Sequence, residues 1–209
     1  GAIAPEICLT LVALIALVQA MITKGRASRQ VLSMSLAGLG ATTLLVLRGW
    51  NERAQTVFAM VTVDRFARFF KVFTTAALAV VVLFVMNDKR ERKHGIGEYY
   101  FLLLGAAVGV FFMVVTNNLL LMILAFELLS LASYALAGFH KGDKRSAEAS
   151  MKYVIFGGLS TGIMLYGVSI LYGLTGTIDL AVMGAADGSG MPAGLVNQVT
   201  ASPVPVAIA

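Results

Sequence analysis

The sequence predicts an all-α membrane protein, a polytopic helical bundle with about six transmembrane helices, and three observations carry that prediction. Of the 209 residues 58% are hydrophobic and only 13% charged. The mean hydropathy of +0.85 exceeds what a soluble domain of this size tolerates on its surface. The apolar residues also gather in runs long enough to cross a bilayer, with the basic residues clustered between them.

A hydrocarbon core of roughly 30 Å takes about 20 helical residues to cross. Runs of about that length span approximately Ala2–Ile22, Val31–Leu47, Phe66–Met86, Tyr99–Thr116, Asn117–Phe139 and Met151–Leu174. The first run is too long for the apolar core of a signal peptide and has no basic region before it, so it predicts a genuine span. The second is short. Only Thr116, Asn117 and Asn118 separate the fourth from the fifth. From Thr175 to about Ser202, Gly184, Asp187, Gly188, Ser189, Gly190 and Pro192 break the apolar pattern and predict an external loop. Residues 203–209 resemble the first turn of a further span. Residues 1–209 are expected to form a single membrane domain.

Basic residues in short connections mark the cytoplasmic side. The first, third and fifth connections carry Lys24, Arg26 and Arg29, then Lys89, Arg90, Arg92 and Lys93, then Lys141, Lys144 and Arg145. The second carries Arg48, Arg53, Arg65 and Arg68, and the fourth carries none. This asymmetry predicts cytoplasmic odd-numbered connections and an external N-terminus. The net charge of +5 is spread over such clusters rather than along one face, which argues against a nucleic-acid partner and for the lipid bilayer. Cys8 is the sole cysteine and cannot form an intrachain disulfide; His94 and His140 fall in connections without metal-ligand spacing. No phosphate-binding loop, nucleophile elbow or dinucleotide fingerprint occurs. Gly105 with Gly109, and Gly158 with Gly162, form GxxxG pairs that suggest close helix packing.

The chemistry in such a chain rests with the charges inside its spans. Glu127 lies near the middle of the fifth run, where a carboxylate costs roughly 2.5 to 3.5 kcal/mol to insert. Apolar surroundings favour the neutral, protonated form of an acid. Proton handling is therefore the expected role, and a structural hydrogen bond to another helix is the alternative. Ser130 and Tyr134, at i+3 and i+7, place hydroxyls on the same face. Lys152 begins the sixth run and reads equally as a snorkelling base at the membrane edge or, if the helix starts back at Ser146, as a base about 9 Å inside it. Lys71, in Asp64-Arg65-Phe66-Ala67-Arg68-Phe69-Phe70-Lys71, reads as part of an interfacial anchor of aromatics and bases, with Asp64 and Arg68 spaced to pair.

Several stretches carry a family resemblance: Ala4-Pro5-Glu6-Ile7; Val63 to Lys71; Glu127-Leu128-Leu129-Ser130-Leu131-Ala132-Ser133-Tyr134; Arg145-Ser146-Ala147-Glu148-Ala149-Ser150-Met151-Lys152-Tyr153; Leu165-Tyr166-Gly167; and Leu171-Tyr172-Gly173-Leu174-Thr175-Gly176. With these the chain resembles the subunit N family of bacterial respiratory complex I, the NADH-quinone oxidoreductase, one of its three antiporter-like membrane subunits. The match runs from the start to about Leu180, and the segment from Glu127 to Gly176 is the most specific.

The resemblance implies a fold of about fourteen spans built on two inverted five-helix repeats, of which this sequence holds the N-terminal portion. It implies proton translocation coupled to quinone reduction elsewhere in the complex, a non-redox translocase subunit. Glu127 would be the fifth-span acid and Lys152 the base paired with it. No cofactor is expected in this chain; NADH, flavin, iron-sulfur clusters and quinone would reside in partner subunits. Other membrane subunits of complex I are the expected partners, and the bacterial inner (cytoplasmic) membrane the location. Later family lysines and a histidine-containing motif after the seventh span do not occur here, so a complete channel is not expected from these residues alone. A subunit of a cation/proton antiporter or membrane-bound hydrogenase, and a purely structural scaffold, stay open as alternatives.

Overall fold

A computed structural model gives the fold. It describes residues 3–23, 28–58, 60–87, 96–140 and 142–184. Six long helices, α1 (Ala4–Thr23), α2 (Ser28–Arg48), α3 (Arg65–Asn87), α4 (Ile96–Val115), α5 (Leu119–Ala137) and α6 (Lys144–Thr175), are joined by a β-hairpin between α2 and α3 and followed by the short α7 (Leu180–Gly184). All six are long and apolar enough to cross a membrane. Their large apolar side chains point outward as well as inward, as with Phe84, Phe156 and Ile163, which suits a lipid solvent rather than water.

The helix boundaries follow from local chemistry. Asp64 Oδ1 accepts the backbone N–H of Ala67 at 2.7 Å and caps α3, so Asp64 serves the helix end and not Arg68 as a counter-ion. The side chain of Asn118 accepts from Leu120 N and Leu121 N, which starts α5 directly after the turn at Thr116 and Asn117. Asp143 caps α6 through Arg145 N, so that helix begins at Lys144, well ahead of the apolar run at Met151. It closes at Gly176, whose left-handed φ of 66° lets its N–H reach Tyr172 O.

Helix α4 is the hub. Its Tyr100, Leu104, Ala107, Val108 and Phe111 meet Leu9, Ala13 and Ala16 of α1, Val31 and Leu39 of α2, and Leu78 and Val82 of α3 in one core. On its other side α4 packs against α5. A Cβ on Gly109 would come within 2.8 Å of Ala125 O and 3.0 Å of Leu129 N, so the two backbones approach as closely as glycine allows. Gly105 contributes no such contact. In α6, Gly158 and Gly162 face open space, and Gly157 is the one pressed against its neighbour, Tyr134. Close packing is thus seen at Gly109, while within this chain the α5-facing stripe of α6 runs through Gly157 rather than through Gly158 and Gly162.

The hairpin, a feature the apolar periodicity does not announce, pairs Gln55–Val57 with Val61–Val63 in antiparallel register. Met60 O accepts from Asn117 N, Asn117 Nδ2 lies 2.5 Å from Thr62 Oγ1, and Asn117 O accepts from Leu180 N. The hairpin, the α4–α5 turn and the start of α7 are thus tied together at one end of the bundle, called here the hairpin end. The starts of α1, α3 and α5 lie at this end. Lys24, Arg26, Lys89, Arg90, Arg92, Lys93, His94, Lys141, the tail loop beyond Gly184 and the possible span at 203–209 lie outside the described residues.

Candidate proton-carrying site

Glu127 stands on α5 eight residues after Leu119, about 12 Å along the axis from the hairpin end. Its carboxylate is half-buried and crosses to α6: Thr161 Oγ1 donates to Glu127 Oε1 at 2.7 Å. A hydrogen bond to a carboxylate is stronger than one between neutral groups, and a hydroxyl can both donate and accept, so the contact holds the acid without closing it off from further proton exchange.

Below this contact a groove of about 570 Å³ runs between α5 and α6. Ser130, Ser133 and Tyr134 line it from α5, and Tyr153, Ser160 and Thr161 from α6, together with apolar Phe126 and Met164. Ser133 Oγ lies 3.3 Å from Tyr153 Oη, and the Tyr134 and Tyr153 rings meet edge to face with centroids 4.7 Å apart. Farther along, Ser150 donates to Tyr134 O and Ser146 to Ala137 O. The α5–α6 seam is thus written in hydroxyls, and the expected alignment of Ser130 and Tyr134 below Glu127 is realised on it.

Lys152 is elsewhere. Its Nζ pairs with Glu148 Oε1 at 2.5 Å, one turn back on the same helix, with both side chains about two-thirds exposed. Thr161 lies nine residues on, about 14 Å along α6 and about half a turn round it. The helix does start before Ser146, as the deeper reading of Lys152 required, yet the residue faces away from α5. The direct pairing of Glu127 with Lys152 is therefore not formed.

A pair that sequence reasoning passed over is formed instead. Glu6, two residues into α1, and Lys71, about 9 Å along α3, lie 2.5 Å apart, each with only 1% of its side chain exposed. Lys71 is no interfacial anchor. Its Nζ sits over the Phe111 ring, 5.8 Å from the centroid, a favourable cation–π placement. Arg68, one turn earlier, is also buried and donates to the carbonyls of Trp50 and Glu52 at 3.2 and 2.7 Å, which pins the chain leaving α2. The available signal was an acid in the first span and a base in the third at the same end; only the packing of both helices against α2 and α4 shows that they meet.

Residues 116–203 match the family described as NADH:quinone oxidoreductase/Mrp antiporter, transmembrane. Over 209 residues the chain is 38% identical to the NADH-quinone oxidoreductase subunit N of Anaeromyxobacter sp. (strain Fw109-5), covering 98% of this chain and 40% of that protein. The chain is similar to this family over that segment and to the subunit N relative along nearly all of its own length. The subunit N of Chlorobium chlorochromatii is 36% identical over 86% of the chain and 36% of its own length. Among solved structures, a chain of respiratory complex I from Thermus thermophilus with bound aureothin superposes with a TM-score of 0.73 at 26% identity, covering 92% of this chain and 41% of that one. A chain of the archaeal membrane-bound sulfane sulfur reductase shares the fold, with a TM-score of 0.69 at 22% identity. The antiporter-like chain described here spans less than half the length of these relatives. Both Glu127 and Lys152 fall inside the segment matched by the family.

Proposed function

We propose that this antiporter-like chain takes part in proton translocation within an NADH-quinone oxidoreductase, as a subunit that moves protons while redox chemistry proceeds in its partners. The observation that carries the reading is Glu127, an acid in an apolar span, hydrogen-bonded across the helix interface to Thr161 at the head of a hydroxyl-lined groove. An ionisable group inside a membrane is expensive to keep, and one with an exchangeable partner and a polar route beside it suits proton uptake and release. In this reading Glu127 is the proton acceptor and donor, and the groove carries the proton between α5 and α6. Lys152, with Glu148 as counter-ion, holds a second charged position on the opposite face of α6. NADH, flavin, iron-sulfur clusters and quinone belong to the partner subunits. The hairpin end faces outward, and the ends that bear the basic clusters face the cytoplasm of a bacterial inner membrane.

The Mrp antiporters included in the family description favour a second reading, in which the same groove serves cation/proton exchange without redox coupling. The test is the assembled complex carrying Glu127→Gln, an isostere that cannot ionise. We expect NADH-driven proton uptake by membrane vesicles and the coupled quinone reductase rate to fall together by at least about tenfold, corresponding to about 1.4 kcal/mol. Normal assembly with full pumping would remove Glu127 from the route. Full redox turnover, with loss confined to a cation/proton exchange activity, would favour the second reading.

A further inference from the structure

The Glu6–Lys71 pair lies on the other side of α4 from Glu127, and the proposed function makes no use of it. Three features distinguish it from a structural latch. It is chemically incomplete: apart from each other, neither the two carboxylate oxygens of Glu6 nor Lys71 Nζ has a hydrogen-bond partner among the described residues. Buried ion pairs repay their desolvation only when the remaining lone pairs and protons are satisfied, so a latch would be better built from apolar residues of the same volume. Next, Lys71 is in reach of water. A cavity of about 30 Å³, room for about one or two water molecules, is lined by Lys71, Arg68, Val46 and Gly49 and by the exposed Glu52 and Gln55 of the α2–α3 connection. It joins the buried ammonium to the hairpin end.

The third feature is the surrounding charge. The Arg68 guanidinium, always protonated, stands one helical turn from Lys71 and is itself buried. On its other side Lys71 Nζ sits over the Phe111 ring of α4. On α2, Thr42 donates to Gly38 O and Cys8 Sγ, and Thr43 donates to Thr75 Oγ1 of α3. Asp64 is occupied as the cap of α3, and Glu52 stands at the solvent mouth. One buried ammonium therefore contacts a carboxylate, an aromatic face and a water-sized cavity.

We propose that Glu6 and Lys71 form a proton-exchanging site of their own, reached by water from the hairpin end and separate from Glu127. The pair holds one proton as carboxylate and ammonium. Transfer of that proton from Lys71 Nζ to Glu6 gives neutral amine and neutral acid. The amine then accepts a proton from cavity water, leaving the pair with two, and loss of one of these back to the water restores the original state. No other reactant is needed.

The experiment is infrared spectroscopy of the purified, assembled complex as a function of pH, on wild type, Glu6→Gln, Lys71→Met, Lys71→Arg and Glu127→Gln. We expect a protonated-carboxyl C=O band that grows on acidification while the complex stays assembled, is absent in Glu6→Gln and is retained in Glu127→Gln. In Lys71→Met the band should appear at a pH at least about one unit higher, a tenfold change in proton affinity. Should Lys71→Met not assemble, Lys71→Arg answers instead, because arginine keeps the charge but releases no proton, and there the band should appear only at lower pH than in wild type. A Glu6 carboxyl band that never appears while wild type stays assembled would overturn the proposal and leave a static ion pair. A band absent only in Glu127→Gln would also overturn it. Loss of pumping in Glu127→Gln bears on the proposed function alone, so the two readings fail separately.

Discussion

Lys71→Met is expected to destabilise the bundle by about 3–5 kcal/mol, because it leaves the Glu6 carboxylate buried with no counter-charge. Both side chains are only 1% exposed, so relief is limited to the about one or two waters that the adjoining cavity can hold. The double variant Glu6→Gln/Lys71→Met removes both charges and should recover most of that loss, since replacing a buried pair with neutral groups of similar volume is often close to neutral. Thermal unfolding of the purified complex, read beside the abundance of the chain in the membrane, checks both expectations. If the single and double variants were equally unstable, the effect would come from lost packing against Phe111 and not from the orphaned charge.

Gly109→Val should have the next largest effect. The added atoms meet the α5 backbone at Ala125 O and Leu129 N, which, unlike a flexible side-chain tip, cannot move aside. Overpacking of this kind costs about 1–3 kcal/mol. It also has a functional consequence, because Ala125 and Leu129 bracket Glu127. Displacing α5 from α4 shifts the carboxylate relative to Thr161, and a misplacement of about 1 Å can cost on the order of a hundredfold in rate. Lowered thermal stability and lowered pumping should therefore appear together in Gly109→Val. Gly105→Val, with nothing within 4 Å of its added Cβ, should leave both near wild type. Equal effects at the two positions would contradict the packing described for α4 and α5.

What the sequence made legible was whatever rests on one helix at a time. Apolar run lengths locate all six spans, and the cost of an ionised group in lipid singles out Glu127 without any tertiary information. The spacing of Ser130 and Tyr134 below it is a property of α5 alone, and the groove lining bears it out. What depends on two helices meeting was not legible. Lys71 has the neighbours of an interfacial anchor in sequence, and only the docking of α1 and α3 against α2 and α4 turns it into the partner of a buried acid. Arg68 is spaced to pair with Asp64, yet the carbonyls of the α2–α3 connection satisfy it better. Lys152 stayed open between two readings for a related reason: its helix begins at the Asp143 cap, and helical phase carries it to the face opposite Thr161. The hairpin escaped notice because its strands are only three residues each, too short for an alternating pattern to register.

The proposed route for protons is the hydroxyl-lined seam between α5 and α6, headed by the Glu127–Thr161 contact. It is tested most directly by the number of protons moved per NADH oxidised in vesicles containing the assembled complex with Thr161→Val or Thr161→Ser. Valine keeps the volume and removes the hydroxyl; serine keeps the hydroxyl and removes a methyl group. A lowered proton ratio is expected in Thr161→Val and a ratio near wild type in Thr161→Ser, with both complexes assembled. A proton ratio in Thr161→Val equal to that of wild type would contradict it.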